Sequence, residues 1–156
     1  MNLLRKSLAV NPDDAVVVWG HFFLRVTAGL MIFFIHGLHK LEGGVAYLRH
    51  GTPWMLVTEV AEMHFPAPVV SAFAATVVQL VCSLFLIVGL FTRINAVLLA
   101  GALGGAILQN LLAHRDPQLA LLYTAVVATF ALMGGGRYSL DAKLFSPSQN
   151  HETNAA

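Results

Sequence analysis

The chain has 156 residues, 57% of them hydrophobic and 11% charged, with a formal net charge of +1 and a mean hydropathy of +0.72. That balance excludes an ordinary soluble domain, and the few scattered basic residues exclude nucleic acid as a partner. A single cysteine, Cys82, excludes an intramolecular disulfide or a CxxC redox pair, so any redox role must borrow its redox centre.

Met1 to Asp14 is polar and carries Arg5 and Lys6; it is too long, and lacks the small-residue cleavage site, for a secretory signal. It reads as a polar N-terminal segment, 1–14, ahead of a retained first span, Ala15–His36. Backbone groups in hydrocarbon must pair internally, so the span is a helix. On it, His21, Arg25, Gly29, Ile32 and His36 follow one another at spacings of four, four, three and four, which puts them on one face. Ionisable side chains at membrane depth are expensive and usually face a bundle interior, which makes His21, Arg25 and His36 candidate ligand-binding residues. Arg25 has two readings: a cation that holds a ligand, or a tie to Gln79, Gln109 or backbone carbonyls. Its counter-charge would come from Glu59 or Glu62 dipping inward, from Asp141, or from an anionic ligand. His21 and His36 stand about 22 Å apart at 1.5 Å per residue, so they cannot share an ion from that helix.

A connection, Gly37 to Pro68, follows. Thr52 as N-cap with Pro53 at the first helical position predicts a short helix over Pro53–His64. Trp54, Val57, Val60 and Ala61 fall on one side of it and Glu59 and Glu62 toward another, as in an interfacial amphipathic helix anchored by Trp54. The second span, Val69–Leu90, carries a mildly polar stripe of Thr76, Gln79, Cys82 and Ser83, with Cys82 read as an inert packing residue. A tight turn at Phe91–Arg93 makes the third span, Ile94–Leu112, its antiparallel neighbour. Gly101 and Gly105 form a small-xxx-small pair that lets another helix approach, and the face continues to Gln109 with Asn110 beside it.

The fourth span, Leu119–Met133, is short and carries Tyr123, Thr124 and Thr129 before Gly134-Gly135-Gly136 ends it. Beyond it, Ser139 or Asp141 is placed to cap a following turn, and Arg137 to pair with lipid phosphate or with Asp141. The expected fold is an all-α membrane protein: a four-transmembrane-helix bundle over 15–144 with the interfacial helix between its first two spans and a disordered tail, 145–156. Arg5, Lys6, Arg93, Arg137 and Lys143 would lie on the side of the termini against Lys40, Arg49 and Arg115 on the other, which predicts cytoplasmic termini.

Three fragments, Leu24 to Leu41, Val88 to Arg93 and Gly134 to Asp141, together resemble the DoxX family of small four-helix membrane proteins. The resemblance implies a multi-pass protein of the bacterial plasma (inner) membrane, a partner of membrane or peripheral oxidoreductase subunits, with a quinone as the implied cofactor. Gln79 stands where many relatives carry an acidic residue, so a carboxylate relay does not carry over.

Two functions of different classes follow. The first is a subunit that binds a quinone or similar lipid-soluble molecule within the bundle, with Arg25, His21, His36, Gln79 and Gln109 as ligand-binding residues. Arg25 and Gln79 would donate to a carbonyl oxygen, and His21 or His36 would pass protons, since imidazole titrates near neutral pH. The second is a non-enzymatic scaffold or assembly factor, open to oligomerisation, with the helix Pro53–His64 as its docking surface. No catalytic residue is assigned, and the chain alone is not expected to be catalytic. No metal site is expected, although His36 or His39 with His114 is geometrically compatible with axial haem ligation. Transport is disfavoured because the sequence shows no inverted repeat.

Overall fold

The structure, a computed structural model, describes residues 14–145. The polar segment 1–14 and the tail 145–156 lie outside the described residues, apart from Asp14 and Phe145 themselves. No strand occurs among the described residues, whose regular structure is entirely helical.

Helix α1, Ala15–Met31, is capped by Asp14, whose carboxylate accepts from the Val16 amide at 3.3 Å. It does not stop at His36. A π turn over Ile32–Gly37, in which the Leu38 amide donates to the Phe33 carbonyl, passes it without a break into α2, Leu38–His50. The continuous rod has 36 residues, about 54 Å at 1.5 Å per residue, which outruns the ~30 Å hydrocarbon layer. The connection therefore begins at Gly51, where φ is +64°, and not at Gly37. Charge at His39, Lys40 and Glu42 reads in sequence as the end of a span, yet a helix outlasts the hydrocarbon until a residue breaks it, and none does before Gly51.

Helix α3, Met55–Glu62, starts two residues later than expected, with Trp54 at the N-cap and no side-chain cap from Thr52. Trp54 is not an exposed anchor. It is 6% exposed and packs on α2, where a Cβ on Gly43 would lie 2.7 Å from its indole nitrogen. Phe73, at a ring distance of 4.8 Å, completes the contact. The paired glycines make room for the indole, so the tryptophan clamps α3 to the rod.

Helices α4 (Pro68–Val88), α5 (Thr92–Leu112) and α6 (Gln118–Met133) lie within two residues of the expected spans at every end, and a short α7 spans Leu140–Phe145. The rod, α4 and α5 are long and apolar enough to cross a membrane, whereas α6, at 16 residues, is shorter. Helix α1 packs on α4, α4 on α5, and α5 on α6, which returns to touch α1. The shared core joins Ile32, Leu86, Leu99, Val127 and Phe130, with Cys82 buried among them as a packing residue. The expected polar stripe of α4 faces this interior: Thr76, Gln79, Cys82 and Ser83 are all buried.

Candidate functional site

The candidate residues separate into two places. At the end of the bundle where α4 turns into α5, Arg25 is completely buried. Its Nη1 donates to the carbonyls of Leu86 at 2.6 Å and Ile87 at 2.8 Å, and its Nη2 to the carbonyl of Tyr138 at 2.7 Å. Leu86 and Ile87 form the last turn of α4, at the negative end of the helix dipole, and the Leu86 carbonyl accepts from the Gly89 amide at 3.2 Å as well as from Arg25. The guanidinium fork satisfies them from α1 and reaches the segment after α6 as well, which fits the bracing reading of Arg25. Glu59 does not dip toward it; that carboxylate pairs with Arg115 at 2.9 Å.

Asp141 works beside Arg25. Its two oxygens accept from the amides of Phe91 at 2.6 Å and Thr92 at 2.8 Å, capping α5. The expected capping of the following turn belongs to Ser139, whose hydroxyl accepts from the Ala142 amide, and Asp141 makes no ion pair with Arg137. Gly89 fits between these groups with φ at +73°, and a Cβ there would lie 2.5 Å from Arg25 Nη1. Gly89→Ala should lower thermal stability by about 2 kcal/mol or more, since it adds left-handed strain to that clash. A melting midpoint in detergent unchanged from wild type would contradict this. His21 belongs to the same end: its ring stacks edge-on against Phe130 at 5.4 Å, close to Gly136, and its Nε2 is buried without a partner.

At the opposite end, α4 and α5 part to leave a cavity of about 540 Å³. His36, Gln79, Gln109 and Tyr123 line it together with Lys40 and Glu59. Arg25, His21, His39 and His114 do not. Its apolar wall comes from Ala74, Ala75 and Val78 of α4 and from Leu98, Ala102 and Ala106 of α5, joined by Leu56 and Val60 of α3 and by Met63 just after it.

Gly101 and Gly105 also line the cavity, and here the structure corrects the packing expectation. No heavy atom lies within 4 Å of a Cβ built at Gly101, Gly104 or Gly105, so no helix of the chain approaches them. The small residues open space. Where a glycine does admit a helix it is Gly29, whose Cβ would meet Ile87 of α4 at 2.6 Å.

Three polar atoms at the cavity are buried without a partner: His36 Nε2, Gln79 Oε1 and Gln109 Nε2. The hydroxyls of α4 differ in this respect. Thr76 donates to the Ala72 carbonyl at 2.9 Å, and Ser83 to that of Gln79, so each is satisfied within its own helix. A glutamine at the same depth cannot satisfy itself in that way, and an unmet buried polar atom costs about 1–3 kcal/mol. Each amide can flip to present donor or acceptor, so the pair suits a ligand carrying carbonyl or hydroxyl oxygens. The ring of His36 meets that of Tyr123 edge-on at 5.2 Å. Among the described residues, no group of three or more His, Cys, Asp or Glu side chains is placed to hold a metal ion.

Lys40, Glu59 and Tyr123 escaped the sequence-based grouping with Gln79. Lys40 was within reach, four residues beyond His36 on a continuous helix, but only if the helix was known to continue.

Long apolar helices around a partly polar interior define an integral, multi-pass membrane protein that contacts the lipid bilayer. The chain belongs to the DoxX family, whose profile matches residues 20–115. That family is often linked to oxidoreductases. The match takes in the rod from its sixth residue, α3, α4 and α5, and stops before α6 and the Gly134–Asp141 exit. No curated protein and no solved structure matches the chain.

Proposed function

We propose that this protein binds a quinone, or a similar lipid-soluble molecule with hydrogen-bonding oxygens, in the cavity between α4 and α5, and serves an oxidoreductase assembly as its membrane subunit. The observation that carries the reading is the set of unpartnered buried atoms on His36, Gln79 and Gln109 around one mostly apolar cavity. Its volume falls within the ~300–1,000 Å³ of small-molecule sites. Val97, Leu98 and Gly101, at its edge on α5, are exposed on the flank of a span. A molecule dissolved in the bilayer would enter there without crossing water.

In this reading α6 is a fourth span and the protein resides in a bacterial inner membrane with cytoplasmic termini, so the cavity occupies the outer half of the bundle. Gln79 and Gln109 hold the ring oxygens, the alkyl walls exclude water, and His36 holds a proton beside them. A bound quinone would supply two-electron, two-proton redox chemistry. The role of Arg25 in the first hypothesis passes to the glutamines, since its fork is occupied by carbonyls. That occupation fits a bracing role for the Arg25 end of the bundle, and docking through α3, which borders the cavity at the other end, is the alternative to ligand binding.

The test is saturable binding of a methylnaphthoquinone to purified protein in lipid nanodiscs, with extraction of co-purified lipids. Gln79→Leu should weaken affinity about tenfold, the value of a lost hydrogen bond at a desolvated site, while leaving the melting midpoint unchanged or higher. A colourless protein that yields only phospholipid and binds no quinone saturably would overturn the proposal.

A further inference from the structure

The cavity is not neutral. Lys40 lines it one turn beyond His36, and among the described residues it forms no ion pair and no hydrogen bond. The one carboxylate in the same lining, Glu59, is held by Arg115 at 2.9 Å from the loop between α5 and α6. Around Lys40 the remaining polar groups of the wall, His36, Gln79, Gln109 and Tyr123, carry no formal negative charge. An ammonium in a mostly apolar wall, where the one carboxylate is already paired with another cation, favours an anion within reach.

We infer that Lys40 reads the charge of the ligand, so that the cavity prefers a lipid-soluble acid, an apolar body bearing one ionised oxygen, over a neutral molecule of the same size. This rests on the cavity being a ligand site and adds which ligands it selects. The ammonium donates to the ionised oxygen, a charge-assisted bond about twice as strong as a neutral one, while the glutamine amides meet the uncharged oxygens. Two kinds of molecule carry that chemistry: a quinone with an acidic ring hydroxyl, and a fatty acid.

The experiment measures equilibrium binding to the full chain in nanodiscs of a zwitterionic lipid, with empty nanodiscs subtracted. The probes are a hydroxynaphthoquinone, ionised at neutral pH, a neutral methylnaphthoquinone of matching ring size, and palmitate. The hydroxynaphthoquinone should bind about tenfold more tightly than the methyl compound. Lys40→Met should bring that ratio to within about twofold, and Lys40→Arg should preserve it, because a cation rather than one shape is required. Lys40→Gln replaces the methionine variant should that one fail to fold.

Equal affinities for the two naphthoquinones in the wild type, or an undiminished ratio in Lys40→Met, would overturn the inference and leave the cavity reading standing. Palmitate binding with the same dependence on Lys40 would support it and assign the cavity to a fatty acid if neither naphthoquinone binds. Failure of all three probes would overturn the cavity reading itself.

Discussion

Arg25→Met is expected to lower folding stability by about 3–5 kcal/mol, since three carbonyls lose a charged donor at about 1–3 kcal/mol each. Methionine fills most of the volume but donates nothing, so the carbonyls of Leu86, Ile87 and Tyr138 lose the donor that ties them together. Water could rescue such groups at a soluble surface, whereas at the buried end of a membrane helix it reaches them poorly. Three pieces of the protein then come apart at once: α1, the last turn of α4 and the exit after α6. Arg25→Lys should recover about half of the loss, since a compact ammonium can reach one or two of the carbonyls but cannot span all three in the plane of a guanidinium. Melting in detergent, followed by size-exclusion chromatography, measures both. A methionine variant within about 1 kcal/mol of wild type would show that the carbonyls find other donors, and would remove bracing as the role of Arg25.

The spacing of polar residues along the first span made the importance of Arg25 legible, and its burial agrees with the face on which that spacing placed it. Backbone carbonyls were among the partners expected for it, but which ones stayed hidden: a sequence displays side chains, and the acceptors here are main-chain groups at the end of α4 and after α6. The helix ends themselves were legible to within two residues because apolar runs, Pro68, Gly89 and the triple glycine mark them directly. The π turn at Ile32–Gly37 and the extension to His50 left no such mark. Trp54 shows a related limit: an amphipathic pattern predicts an interface, and only the facing Gly43 and Gly44 decide whether that interface is lipid or protein. The division of the five candidate ligand-binding residues, with Arg25 and His21 at one end and His36, Gln79 and Gln109 at the other, needed the three-dimensional arrangement of all four long helices.

Gly105→Leu is expected to abolish saturable ligand binding without harming the fold, an effect that separates a cavity from a packing seam. If Gly105 admitted a neighbouring helix of this chain, four added carbons would force that helix away and cost several kcal/mol. In the structure nothing lies within 4 Å of a Cβ at this position, so the leucine extends into the cavity lined by Gln79 and Gln109. Replacing a mid-helix glycine also removes conformational freedom from the unfolded chain, worth about 0.5–1 kcal/mol in favour of the variant. Wild-type protein should gain about 2.7 kcal/mol of stability in the presence of ligand at one hundred times its dissociation constant. The leucine variant should melt at or above the wild-type temperature without ligand and gain little when methylnaphthoquinone is added. A variant that melts far below wild type would return Gly105 to helix packing, through a second copy of the chain, and the open space beside α5 would then be a seam between protomers. A variant that folds and still binds quinone with full affinity would place the ligand elsewhere in the bundle, away from the glutamines.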